Sequence, residues 1–108
     1  MSGPLREGVH EAREAARWLL SEGTIEPADI GAGSYAFLQL IGTVAVGWMW
    51  LRMAQVAQAK DDPFHAAKLA TARHYALRTL PDCGALRRNV EAGSEALMAL
   101  SPEQFARN

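Results

Sequence analysis

An all-helical fold, an up-and-down bundle of four helices around a long central second helix, is what this 108-residue sequence predicts. Three observations carry that expectation. Apolar residues recur at three- and four-residue steps through most of the chain, which is the spacing of one face of a helix. Most prolines and aspartates fall between those stretches, where they can start, cap or stop a helix. Strand-period alternation and internal repeats are both missing. Short links between successive helices favour antiparallel neighbours, hence the up-and-down order.

The first helix is predicted over residues 4–22: Leu5, Val9, Ala12, Ala16, Leu19 and Leu20 form its apolar stripe, while Arg6, Glu7, Glu14 and Arg17 cover other faces. Gly23 is expected to end it in the left-handed conformation that glycine adopts without steric penalty. Pro27 then lies in the connection, and Asp29 is expected to cap the next helix by accepting from unpaired backbone N–H groups. That second helix, residues 30–60, would be about 45 Å long at 1.5 Å per residue. A late or frayed start is expected near residues 31–34, where Gly31 and Gly33 lower helix propensity. Asp62 can cap a third helix and Pro63 suits its first position, where a missing N–H costs little. This helix is predicted to reach about Leu80 and to stop at Pro81. Asp82 is read as the cap of helix four, with the stripe Leu86, Val90, Gly93, Leu97 and Leu100. Ser101 to Gln104 has capping-box spacing, so a last short turn is expected to carry Phe105 back onto the bundle. Abundant alanine lets helix axes approach, and Trp18, Trp48, Trp50, Tyr35, Phe37, Phe64 and Tyr75 are expected to fill the gaps that remain.

A chain of this length can bury roughly two thirds of its unfolded surface, enough for one core, so residues 1–108 are read as one domain. Eleven basic residues oppose twelve acidic ones, for a net charge of -1, and the halves barely differ. That balance points to neither nucleic acid nor an anionic membrane as a partner. Cys83 is the single cysteine, which excludes an internal disulfide and fits a reducing compartment, with the cytoplasm as the default expectation. Charges at Arg6, Glu7, Glu11, Arg13, Glu14 and Arg17 interrupt what a secretory signal would need as an apolar run.

Between Asp29 and Arg52 there is no charged residue, and residues 30–51 meet the rule of about twenty apolar residues for crossing a bilayer. Ser34, Gln39, Thr43 and four glycines weigh against a span, as does the lack of Lys/Arg clustering on one flank. A helix apolar all round is equally the central helix of a soluble bundle, buried on every side by its neighbours, and that is the expectation here.

Chemistry-bearing residues are sparse. His10, His65 and His74 include no pair at the four-residue step that would set two imidazoles on one face, so no metal site is expected. Cys83 follows a predicted cap but has no oriented base nearby in sequence, and is read as an inert, partly buried thiol. Residues 31–36 satisfy a loose dinucleotide fingerprint, yet Pro27 rather than a strand precedes them and no carboxylate lies near Arg52 to hold a ribose. From residue 63 to 88, five cations (Lys68, Arg73, Arg78, Arg87 and Arg88) face one anion, Asp82. The first reading of this excess is a solvated face with salt bridges to the acidic first helix. The sharper reading is contact with an anionic group such as a phosphate, which arginine suits through its planar array of donors.

Residues 35–48, with Tyr35, Gly42, Gly47 and Trp48, resemble the long helix of a C-terminal domain found in a subset of acyl-CoA dehydrogenases. Ala66, Ala67, Lys68, Ala70, Ala72, Arg73 and Tyr75, followed by Leu80 and Pro81, look like that family's alanine-rich helix and its terminating proline. Val90, Glu91, Ala92 and Gly93, with Leu97, Leu100 and Phe105 beyond them, are similar to its closing helix and tail. His74 departs from the pattern by standing where an aromatic, usually phenylalanine, is expected.

The resemblance implies an accessory helical domain following three dehydrogenase domains that hold the flavin adenine dinucleotide (FAD), the glutamate base and most of the acyl-CoA site. It carries no catalytic, cofactor-binding or metal residue onto this chain. Lys68, Arg73, Tyr75 and Arg78 are the candidates for docking or for contact with acyl-CoA. The partners it implies are a dehydrogenase core, on the same or a separate chain, and further subunits of an oligomer. The residues alone leave an alternative: a small stand-alone interaction protein that forms a homodimer or docks a partner through its long apolar helix.

Overall fold

The computed structural model describes residues 2–94, all of whose regular structure is helical. Helix α1 spans Ser2–Ile25, α2 Pro27–Ala57, α3 Pro63–Arg78 and α4 Asp82–Val90. The all-helical class and the long second helix are as predicted, and α2 touches each of the other three.

Two boundaries differ because the link between α1 and α2 is a single residue, Glu26. Gly23 stays helical instead of turning left-handed. A Cβ there would lie 2.3 Å from Ile30 Cγ1, so what the position requires is a side chain small enough for the tight hairpin. Glu26, not Asp29, caps α2: its side chain accepts from the Ala28 amide at 3.3 Å, with Pro27 at the first helical position. Residues 31–34 lie within the helix. Asp62 caps α3 as expected, accepting from the His65 amide at 2.9 Å ahead of Pro63.

Pairwise approaches set the helix directions. Gly23 meets Ile30, Gly8 meets Val44 and Gly47 meets Leu5, so α1 and α2 run antiparallel. Tyr75 reaches Thr43 and Lys68 reaches Trp50, so α3 also opposes α2, beside its second half. Val90 packs on Gly33, while Cys83 and Arg87 approach Gly8 and Glu11 of α1, so α4 opposes the first half of α2 and runs along α1. The up-and-down order therefore stops at α3, and α4 prolongs α3 instead of reversing. The joint is too tight for a reversal: the Asp82 and Cys83 amides bond to the Thr79 and Leu80 carbonyls, and Leu80 is buried against Gly47. Pro81 precedes α4 without giving a side-chain cap, and Asp82 lies in the first turn.

Helix α4 ends at Val90, short of the predicted stripe. Gly93 turns the chain at φ 75°, and Asp29 Oδ1 accepts from both the Ser94 amide and its hydroxyl at 2.8 Å. Asp29 thus ties the exit of α4 to the start of α2. Leu97, Leu100, the Ser101 to Gln104 capping box and Phe105 lie outside the described residues.

The core is narrow. Leu40, Leu80, Val90 and Cys83 are its largest fully buried side chains, accompanied by alanines such as Ala15, Ala36 and Ala76. The radius of gyration is 18.2 Å, and the extents are 62 × 33 × 14 Å. A compact domain of 100 residues has a radius near 13 Å, so this fold is flat and elongated. One consequence overturns the expectation for α2. Its buried residues, Gly33, Ala36, Leu40, Gly47, Ala54 and Ala57, share one side, and the opposite side has no neighbour among the described residues. By length and composition α2 could cross a membrane, yet only 22% of its most apolar window is buried. It is not wrapped on every side, because α1, α3 and α4 all pack against the same side of it.

Candidate functional site

The outer side of α2 is apolar for most of its length. Tyr35, Leu38, Trp48, Met49 and Val56 are each more than half exposed, Tyr35 reaching 73%. Tyr35 and Trp48, like Phe64 on α3, were expected to fill gaps in the core, and the packing leaves them outside. Among the bulky residues sit Gly31 and Gly42, where an added Cβ would meet nothing within 4 Å. Glycine in a helix interior costs about 1 kcal/mol relative to alanine. Gly33 and Gly47 justify that cost by close approach: an added Cβ would lie 3.0 Å from the Val90 carbonyl oxygen at Gly33 and 2.9 Å from Leu80 Cδ2 at Gly47. Gly31 and Gly42 have no such reason within the described chain. A contiguous apolar patch of this kind marks a surface that meets a protein partner, a ligand or a membrane.

The four residues singled out on α3 do not form one site. Lys68 and Tyr75, two turns apart, face α2. The Lys68 ammonium lies 5.9 Å from the Trp50 ring centre and 5.3 Å from that of Phe64, geometry in which a cation is drawn to the aromatic face. The Tyr75 hydroxyl donates to the Thr43 carbonyl at 2.6 Å, and burial, followed by the nearby Cys83, raises its pKa. Both therefore have structural work inside the chain. Arg73 and Arg78 are exposed and, five residues apart, point about 140° from each other around the helix, so they cannot grip one phosphate together. Arg87 leaves the cationic cluster altogether: it bonds Glu91 at 3.1 Å and Glu11 of α1 at 3.4 Å, which holds its pKa above the ordinary guanidinium value.

Two clefts flank this framework. One of about 650 Å³ lies between the start of α1 and the α3–α4 joint, where Glu7, His10, Glu11 and Cys83 contribute to its lining. Cys83 is buried, and desolvation, with the charges of Asp82 and Glu11 behind it, pushes the thiol up, away from the thiolate a nucleophile needs. Glu7 and His10 have a three-residue spacing on α1 that metal ligands can use, but no third ligand joins them among the described residues. The other cleft, about 350 Å³, opens where α2 ends beside the start of α3, with Arg52, Met53, Val56, Phe64, His65 and Lys68 around it. His65 Nδ1 pairs with Asp62 at 2.7 Å there, and Arg52 lies 5.3 Å from the Trp48 ring centre. The glycine-rich residues 31–36 are helical throughout, with Gly33 against α4, so they form no loop for a pyrophosphate.

Comparison with known proteins gives this framework and its bare face a family. Residues 1–101 match the family described as acetyl-CoA dehydrogenase C-terminal like. The chain belongs to this family. A relative, the 3-methylmercaptopropionyl-CoA dehydrogenase of Ruegeria pomeroyi, is 33% identical over 88 residues, covering 77% of this chain. The chain spans about 15% of the length of that relative.

For this acyl-CoA dehydrogenase C-terminal domain, the α3 motif residues were visible in the sequence, while the feature that stands out in space is the uncovered side of α2. Its signal was present as the charge-free stretch with two glycines lacking any local reason. Asp29 was also assigned the wrong task, because its partner Ser94 is 65 residues away in sequence.

Proposed function

We propose that this chain is an accessory domain of a flavin-dependent acyl-CoA dehydrogenase, that it packs against the larger assembly through the bare side of α2, and that it helps form the acyl-CoA entrance or the oligomer contacts. The observation that carries this reading is the coexistence of a satisfied helical framework with one long, exposed, apolar helix face. In a member of this family, the natural cover for that face is the rest of the enzyme. FAD and the base that removes the substrate proton belong, on this reading, to the core. Arg73 and Arg78 remain the residues free to meet an anionic part of acyl-CoA at the rim, each as a separate point of contact.

The test is reconstitution. A dehydrogenase core lacking this domain is mixed with the 108-residue chain, and association and flavin reduction by acyl-CoA are followed together. The proposal expects binding and faster reduction or restored assembly. A core that is equally assembled and equally active without the chain would overturn it. Arg73→Gln combined with Arg78→Gln should weaken acyl-CoA affinity of the complete enzyme, and unchanged affinity would remove the anion-contact part of the reading.

A further inference from the structure

The outer side of α2 has a more definite pattern than a generic apolar patch. Ala28, Gly31, Tyr35, Leu38, Gly42, Ala45, Met49, Arg52 and Val56 follow one another at alternating steps of three and four residues. That is the spacing of a seam between two long helices, and it runs the whole length of α2. The pattern has its midpoint at Gly42, where a Cβ would enter open space.

We infer that this seam pairs with the same seam of a second copy of the chain, antiparallel, about a two-fold axis at Gly42. This deepens the accessory-domain reading by naming which oligomer contact the bare face makes. Reversal about Gly42 sets Met53 against Gly31 and Val56 against Ala28, large against small, while Leu38 meets Val46 and Tyr35 meets the adaptable Met49. A two-fold contact requires this reciprocity, each residue's partner facing it in turn. Gly42 against Gly42 lets the axes approach closely at the crossing. Parallel pairing would instead oppose Tyr35 to Tyr35, leave a gap at Gly31 and bring two Arg52 charges together on the seam. The antiparallel arrangement separates those arginines by about 30 Å along the helices.

The available area suits a stable pair. At roughly 200 Å² for a fully exposed side chain of this size, Tyr35, Leu38, Val46, Met49, Met53 and Val56 leave roughly 650 Å² of apolar surface per copy, or roughly 1,300 Å² for two. Specific interfaces bury about 1,200–2,000 Å² in total, and the rim around the seam adds to this core.

The experiment uses the 108-residue chain, with mass in solution read by analytical ultracentrifugation and cysteine cross-linking under mild oxidation. The chain should sediment as a dimer, and Met49→Glu should convert it to a monomer with the same far-ultraviolet circular dichroism. Gly42→Cys should cross-link to itself. Leu38→Cys alone should not, but should cross-link when mixed with Val46→Cys. Native Cys83 is only 1% exposed and does not compete. A folded monomer at all concentrations overturns the inference, as does a dimer indifferent to Met49→Glu. Self-cross-linking of Leu38→Cys would overturn the antiparallel arrangement. If Met49→Glu proves unfolded, the cysteine pairs decide alone. The two readings separate cleanly: a monomer that still restores a dehydrogenase core refutes the pairing and leaves the accessory role. A seam dimer that ignores every core does the reverse.

Discussion

Gly42 and Gly47 lie five residues apart in the same helix, and alanine should act at them in opposite directions. At Gly42 a Cβ meets nothing within 4 Å, so Gly42→Ala should gain about 1 kcal/mol from helix propensity and from lower unfolded-chain entropy. At Gly47 the same Cβ would lie 2.9 Å from Leu80 Cδ2 and 3.2 Å from Leu5 Cδ1. Both leucines are buried, Leu80 to 1% exposure and Leu5 to 7%, so neither has room to swing away. Overpacking a core costs about 1–3 kcal/mol, which cancels or exceeds the propensity gain. The two variants should therefore differ by about 1–3 kcal/mol, or at least about 5 °C in melting temperature for a domain of this size. Thermal and urea unfolding followed by circular dichroism, at concentrations low enough to prevent self-association, measure this difference. If Gly47→Ala proves as stable as Gly42→Ala, the close approach of Leu5 and Leu80 to Gly47 is wrong.

Two further perturbations probe other parts of the framework. Tyr75→Phe removes the bond to the Thr43 carbonyl and should lower stability by about 0.5–1.5 kcal/mol in urea titration with circular dichroism unchanged, whereas no loss would mean that α3 is not held to α2 there. At Asp62, the His65 amide and then the His65 ring hold the carboxyl below its usual 3.8, so its contribution is intact above that value. That contribution is lost as pH falls through the lower folded value, and Asp62→Ala should remove this acid step from the stability profile. A variant with the same acid profile as the parent chain would exclude Asp62 as its source.

Local signals were read from the chain with success where one or two neighbouring residues settle the outcome. Asp62 with Pro63 started α3 because the capping carboxylate and the amide it serves lie three residues apart. The charge-free run became one long helix for a similarly local reason, its apolar residues and tolerated glycines. The family was also legible, through the alanine-rich α3 motif and the long helix, and the match over residues 1–101 bears that out. The α3 residues were harder to interpret. Their types were plain, but Lys68 and Tyr75 turn toward α2 while Arg73 and Arg78 diverge, which depends on the angle at which α3 docks.

By itself, then, the sequence determined the four helices of the described residues, most of their limits and the family, since propensity, capping and period act over a few residues. Tertiary structure decided the rest. It made Gly23 a contact glycine, sent Asp29 to Ser94, kept α4 running on from α3, and placed every neighbour of α2 on one side. Each of those outcomes depends on which surfaces meet at long range. An apolar residue in a sequence carries the same signal whether its cover comes from its own chain or from another.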